Sequence, residues 1–271
     1  RFGSSPDESW AWHPYTAAER AINILSFARR HGLPSPAEGT LSCLGRHANE
    51  IAARLEYFGE SGTSNHLFNN GRGLLILGAE LGLSDFAALG AKIVAEEAKR
   101  LLLPSGILRE GSSHYHVLLA NRMVEVADYC ESGGLSEAAF LKECALKSTR
   151  VARQLVLPGG MPLIGDVSPD MAPAPSLATL KEDRKSEAES LRRQLAEDGW
   201  LRTSFGPWTG LWYVSPAGWP PMPGHGHQDC GGFELHFEDC PIFVDPGRGS
   251  YRGGETDTAL SGDAHNILQV D

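Results

Sequence analysis

Three short stretches of the 271-residue chain gather side chains able to hold a metal, neutralise a charge or move a proton. The first is His225-Gly226-His227-Gln228-Asp229, with Asp245 and His265-Asn266 downstream. Imidazole nitrogens and a carboxylate are the donors that zinc or a similar borderline cation takes in tetrahedral geometry. If His225–Phe237 is one strand, its odd positions share a face. Both histidines then point the same way, one able to join a metal while the other meets a substrate, and Phe233, Leu235 and Phe237 enter the core. Histidines bonded to neighbouring carbonyls at a polar strand end are the plainer alternative. The second stretch is Ser64-Asn65-His66, followed by Asn69, Asn70 and Arg72. On a helix Asn65, Asn69 and Arg72 line up, as do His66 and Asn70, giving donors that suit a carboxylate. A helix start capped by Thr63 or Ser64, with exposed asparagines, fits the same residues. The third is Arg109-Glu110-Gly111-Ser112-Ser113-His114-Tyr115-His116. A tyrosine serves as general acid or base once nearby positive charge lowers its usual value near 10. A buried tyrosine with one hydrogen bond is the ordinary alternative.

The elements that must position these residues change character near residue 199. All six tryptophans lie outside residues 13–199. Before that point apolar residues recur at helical spacing, opening with a capping box at Thr16 and Glu19. Further helices are expected at about 37–58, 64–81, 84–103, 112–131 and 136–156, punctuated by Gly62, Gly82, Pro104, Gly133 and Pro158. Short connections imply antiparallel helical hairpins. Residues 158–176 read as a crossing loop and Lys181–Asp198 as a charged, solvent-facing helix. From Trp200 the period becomes two, with a hairpin turning at Asp239–Cys240 into a return strand, Pro241–Asp245. The expected domains are 1–175, helical; 176–199, a linker with the charged helix; and 200–271, the start of an antiparallel sheet domain.

A net charge of −10 argues against nucleic-acid binding, which rests on Lys and Arg density. The longest apolar run, Leu74–Ala79, is far short of the roughly 20 residues that span a bilayer, so no membrane insertion is expected. Five widely spaced cysteines, with no CxxC pair, give neither a disulfide scaffold nor a zinc knuckle. A start at Arg1 and a stop in mid-pattern suggest a piece of a longer protein, with room for a removed signal peptide.

Taken in order, Asn65-His66, Glu110-x-Ser112-x-x-Tyr115-His116, His225-x-His227-x-Asp229, Val244-Asp245-Pro246-Gly247 and His265-Asn266 resemble the heparinase II/III-like polysaccharide lyases over about residues 60–271. The resemblance implies an α+β multidomain fold: an incomplete (α/α) toroid of helical hairpins followed by an antiparallel β-sandwich, truncated here. It implies a polysaccharide lyase that cleaves a uronate polymer by β-elimination. Asn65 and His66 would neutralise the carboxylate, Tyr115 would transfer the proton, and His225 would face it from the opposite side of the sugar. His227, Asp245 and His265 would hold a structural zinc. Arg72, Glu110, His114, Arg122 and Tyr251 are candidate substrate contacts. Tyr251 gets no proton-transfer role because it lies too close to Asp245. The partner would be an anionic polysaccharide, and the location periplasmic or secreted. Two other readings stand beside this one. His225-x-His227-x-Asp229 also resembles the start of a metallo-hydrolase signature, although Cys230 replaces its last histidine. A catalytically silent carbohydrate-binding protein would keep the fold without the chemistry.

Overall fold

The computed structural model describes residues 8–168, 185–214, 224–248 and 255–268. Helices α1 (Pro14–His31), α2 (Ala37–Ala53), α3 (His66–Leu81), α4 (Ser84–Leu101), α5 (Ser113–Ser132), α6 (Ala138–Leu155) and α7 (Lys185–Glu197) precede the first strand. Strands β1 (Trp200–Phe205), β2 (Trp208–Tyr213), β3 (Gly232–Phe237) and β4 (Cys240–Phe243) follow, then the short α8 (Glu255–Leu260). Among the described residues no helix is long and apolar enough to cross a membrane. By compactness the chain falls into two units: residues 1–100 with 124–142, and residues 101–123 with 143–271.

In the first unit Ala18, Ala21, Ile22 and Leu25 of α1 meet Leu44, Ala48 and Ile51 of α2 and Leu74, Ile76 and Leu77 of α3 in a buried apolar cluster. Helix α1 starts at Pro14, whose ring is preorganised for a first helical turn, with no side-chain cap. The expected capping box at Thr16 and Glu19 is therefore inside the helix, and the Glu19 carboxylate pairs with Arg72 instead. Helices α3 and α4 form the expected antiparallel hairpin. A Cβ on Gly71 would strike Ile93, one on Gly90 the Leu75 backbone, and one on Gly78 the Ala87 backbone. The partner number falls as the α3 number rises, so the helices run in opposite directions with their backbones nearly touching.

In the second unit the sheet is antiparallel throughout, in the order β1-β2-β3-β4. Trp200, Leu211 and Tyr213 bury one face against Ile107, Val151, Leu155, Ile164 and Leu195. The opposite face carries Leu201 paired with Trp212, Trp212 with Phe233, and Leu235 with Phe243. Leu201 and Phe243 are close to half exposed there, at 47% and 46%.

Three expectations about this sheet need correction. Residues 224–231 lie outside any strand, so His225 and His227 precede β3 instead of sharing its face. The phase of burial is also reversed: Glu234 and His236 are buried, while Phe233 and Leu235 are only partly so and Phe237 is exposed. The buried pair satisfies itself. His236 Nε2 lies 2.9 Å from Glu234 Oε1, the other carboxylate oxygen accepts from the Leu163 and Asp245 N–H groups, and His236 Nδ1 accepts from Gly159 N–H. A polar residue can be buried at little cost when each of its hydrogen bonds is made. The return strand is Cys240–Phe243, two residues shorter at its end than expected.

His116, fully buried early in α5, shows the same principle with a measurable consequence. Its Nδ1 accepts from Leu108 N–H at 3.1 Å, and its Nε2 donates to the Ser148 carbonyl at 3.0 Å. Burial pushes its pKa from the ordinary 6.5 down to about 4, outweighing the Ser148 bond that raises it. The unfolded chain therefore binds this proton at higher pH than the folded chain. The stabilisation is complete above pH 6.5 and is lost as pH falls toward 4, by roughly 3 kcal/mol in all. His116→Gln should lose melting temperature less steeply than the wild type across that window. Parallel slopes in a pH series of melting curves would refute this.

Candidate active site

Helix α3 begins with Asn65 as its N-cap residue, and its first two turns present His66 and Asn70 together, as the spacing predicts. Both grip one buried carboxylate. His66 Nδ1 lies 2.8 Å from Glu56 Oε1, and Asn70 Nδ2 donates to Glu56 Oε2 at 2.9 Å. Burial works to raise the Glu56 carboxyl, but the bonds from His66 and Asn70 and the neighbouring imidazoles hold it below the usual carboxylate range. The Tyr15 ring lies against the His66 ring, centroids 4.6 Å apart. On the adjacent face Arg72 donates to Asn69 Oδ1 at 3.1 Å and pairs with Glu19 at 3.0 Å and Glu125 at 2.6 Å. Arg72 is thus engaged in the interior by two carboxylates, not presented to a substrate as expected.

In the second unit, Ser112 starts α5 as an N-cap whose Oγ accepts from Tyr115 N–H at 3.0 Å. This fixes the turn that carries Tyr115, whose side chain remains partly exposed. The Tyr115 ring stacks on the His225 ring, with centroids 3.5 Å apart and planes tilted by 15°. His225 Nδ1 is 2.7 Å from Glu110 Oε2, and the backbone repeats the link, with His225 N–H donating to Glu110 O at 3.1 Å. Two rings this close leave no room for a sugar between them. Tyr115 and His225 therefore stand side by side, and the expectation that they face each other across the sugar is not met. Glu110 is wholly buried beneath His225 and His114 is wholly buried too, so neither can be the substrate contact expected of it. His114 Nδ1 accepts from Ser168 N–H, and burial lowers its pKa. Arg122 is partly buried on α5, and Tyr251 lies outside the described residues.

Three glycines make this crossing of chains narrow enough. A Cβ at Gly111 would come within 2.9 Å of the Tyr213 hydroxyl, one at Gly165 within 2.5 Å of Gly111 O, and one at Gly224 within 2.7 Å of Glu110 Cγ. All three have positive φ, at +73°, +76° and +52°, which a side chain rarely tolerates.

Next to this pair lies a group of possible metal donors, His227, Asp229 and His265, each offering one atom within 4.8 Å of the others. His227 Nδ1 and both Asp229 oxygens are buried with no hydrogen-bond partner among the described residues. Burial, and then the Asp245 charge, raise the Asp229 carboxyl. Burial alone would lower His265, but its bond to Asp245 and the charges of Asp245 and Asp229 hold it above the usual histidine value. Asp245, expected as a ligand, stands against His265, its Oδ2 2.9 Å from Nδ1, while its Oδ1 accepts from Gly247 N–H. His265 is held at both ring nitrogens, Nδ1 by Asp245 and Nε2 by the Ala259 carbonyl at 3.0 Å, whereas the unpartnered His227 Nδ1 and Asp229 oxygens are donors that a divalent cation would satisfy.

Three buried carboxylates organise these clusters without having been singled out. Glu56, held by His66, and Asp166, whose Oδ1 lies 2.8 Å from His227 Nε2, belong to no motif, and Asp229 belongs to one. The i,i+4 pairing of His66 and Asn70 calls for an acceptor, which is the signal for Glu56, but it does not say where the acceptor comes from.

Comparison with known proteins supports the resemblance over the last part of the chain. The model of the family described as heparinase II/III-like, C-terminal, matches residues 189–271. The match covers the sheet, His225, His227, Asp229, Asp245 and His265, as the order of motifs implied. A solved structure of heparinase III superposes with a TM-score of 0.67 and 17% identity, covering 97% of this chain and 47% of that one. A second heparinase III gene product gives a TM-score of 0.64 and 18% identity, covering 95% and 45%. A heparan sulfate lyase from Pedobacter heparinus gives a TM-score of 0.58 and 16% identity, covering 94% and 45%. The chain spans less than half the length of these solved structures and shares their fold, helices followed by an antiparallel sheet. No curated protein sequence matches it.

Proposed function

We propose that the protein cleaves a uronic-acid polysaccharide by β-elimination. The observation that carries this reading is Tyr115 stacked on His225 at 3.5 Å, with His225 anchored to the buried Glu110. A uronate has an acidified C5–H next to its carboxylate and an oxygen leaving group at C4. Elimination needs a proton taken from C5, a proton given to O4, and a neutralised carboxylate. Tyr115 and His225 supply a phenol and an imidazole side by side for the proton transfers. Asn65 and His66 keep the role that the resemblance assigns them, donating to the carboxylate. Glycoside hydrolysis would instead require two carboxylates across the scissile bond. A metallo-hydrolase built on His225-x-His227-x-Asp229 would use His225 as a ligand, whereas His225 is committed to Glu110 and Tyr115. A polymeric uronate substrate also fits a periplasmic or secreted location. The test is incubation of the full-length protein with a panel of uronate polymers while following ultraviolet absorbance of a 4,5-unsaturated product. A folded protein that forms none on any polymer defeats the proposal.

In the same reading, His227, Asp229 and His265, with Asp245 against His265, hold zinc. Bound there, the ion would supply a structural tie beside the site and neutralise the two carboxylates. A cation that binds only the folded protein raises its stability by mass action, so chelator should lower the melting temperature. Elemental analysis finding no metal, together with melting unchanged in chelator, would reject the site.

A further inference from the structure

We infer that Asp166 ties the metal pocket to the proton-transfer pair: its carboxylate fixes which nitrogen His227 offers a metal, and its backbone holds His225. The inference rests on the zinc reading above for its metal half only. Asp166 is 2% exposed, and its Oδ1 lies 2.8 Å from His227 Nε2. The guanidinium of Arg248 supplies the opposite charge, with Nη1 at 2.9 and 3.1 Å from the two carboxylate oxygens. An ionised carboxylate only accepts, so Nε2 must carry the hydrogen. That leaves the lone pair on Nδ1, which is the buried nitrogen with no partner among the described residues and belongs to the residue grouped with Asp229 and His265. With the hydrogen on Nδ1 the same ring could not bind a cation there. A carboxylate behind a ligating histidine fixes both tautomer and ring orientation, and its loss typically weakens metal binding about 10- to 100-fold.

The backbone of the same residue reaches the other site. Asp166 N–H donates to the His225 carbonyl at 2.8 Å. Its own carbonyl accepts from Ser112 Oγ at 2.7 Å, the hydroxyl that also accepts from Tyr115 N–H. One residue thus touches the loop of His225, the cap of Tyr115 and the ring of His227. The backbone bonds survive replacement of the side chain, which lets the carboxylate be tested separately.

The test has two measurements that do not involve turnover. The first is nitrogen-15 imidazole spectroscopy of the metal-free protein, which reports where His227 carries its hydrogen. The second is zinc affinity by competition with a chromogenic chelator. Wild type should show the Nε2–H form, and Asp166→Ala should lose that preference and bind zinc about 10- to 100-fold more weakly. Asp166→Asn keeps an acceptor oxygen but loses the charge. It should keep Nε2–H and bind zinc about 10-fold more weakly, and it decides the matter if the alanine variant does not fold. Unchanged zinc affinity in the variants, or wild-type His227 protonated at Nδ1, overturns the inference. A wild type that takes up no zinc defeats the metal reading, and the tautomer measured without metal still decides whether Asp166 sets the ring.

Discussion

Tyr115→Phe should lose elimination activity by about 100- to 10,000-fold, the usual cost of removing a proton-transferring group, while melting with the wild type. The substitution deletes one oxygen from a partly exposed ring. It leaves the stack on His225 intact, along with the Ser112 cap that acts through the Tyr115 backbone. The stacking and the helix initiation are therefore unchanged, and the phenolic hydroxyl is gone. Near-normal production of the unsaturated product by this variant would remove Tyr115 from the mechanism and leave the stack as mere packing.

Glu110→Gln should cost about 100- to 1,000-fold, the range for removing one preorganised electrostatic partner of a reacting group. Glu110 touches no substrate, because it is wholly buried; it acts by holding His225 Nδ1 at 2.7 Å. Glutamine fills the same volume under Gly224 and still offers an oxygen to that nitrogen, so the ring keeps its place. What disappears is the negative charge held 2.7 Å from His225 Nδ1. The loss should therefore appear in kcat with KM little changed, the signature of an interaction made mainly in the transition state. A rise in KM at constant kcat would mean that Glu110 serves binding, and full activity would mean that His225 needs no partner.

Element type was legible in the chain wherever apolar spacing sets it. Helices α2 to α6 fall where their apolar residues recur, and β1 starts at Trp200, where the period changes. The failures are polar. Thr16 and Glu19 have the spacing of a capping box, but Pro14 starts the helix and Arg72 claims Glu19. Alternating His225, His227 and Asp229 look like a strand face, yet period two among polar residues says nothing about which partners hold them. Those partners lie far away in sequence, Asp166 for His227 and Glu110 for His225, and Glu56 stands ten residues before His66, outside its motif. The face of β3 was inverted for the same reason, because a hydropathy pattern cannot know that Glu234 and His236 satisfy each other. Donors and proton carriers could be named from the sequence, but the buried carboxylates that aim them could not.

The glycines at 111, 165 and 224 carry a consequence for anyone who maps tolerance by saturating the chain with substitutions. None of them has a side chain to contribute, and none would be flagged by a search for catalytic chemistry. Each nonetheless sits where the smallest addition would push against Tyr213, the Gly111 carbonyl or Glu110, in a backbone conformation that other residues resist. In such a map these positions should be as intolerant as Tyr115 itself. Alanine should harm them as much as bulkier residues do, whereas at Tyr115 phenylalanine should preserve abundance and abolish activity. The glycines should lose both together. Comparing a screen for folded protein with a screen for turnover would separate the residues that perform the chemistry from those that keep the chains close enough for it to occur.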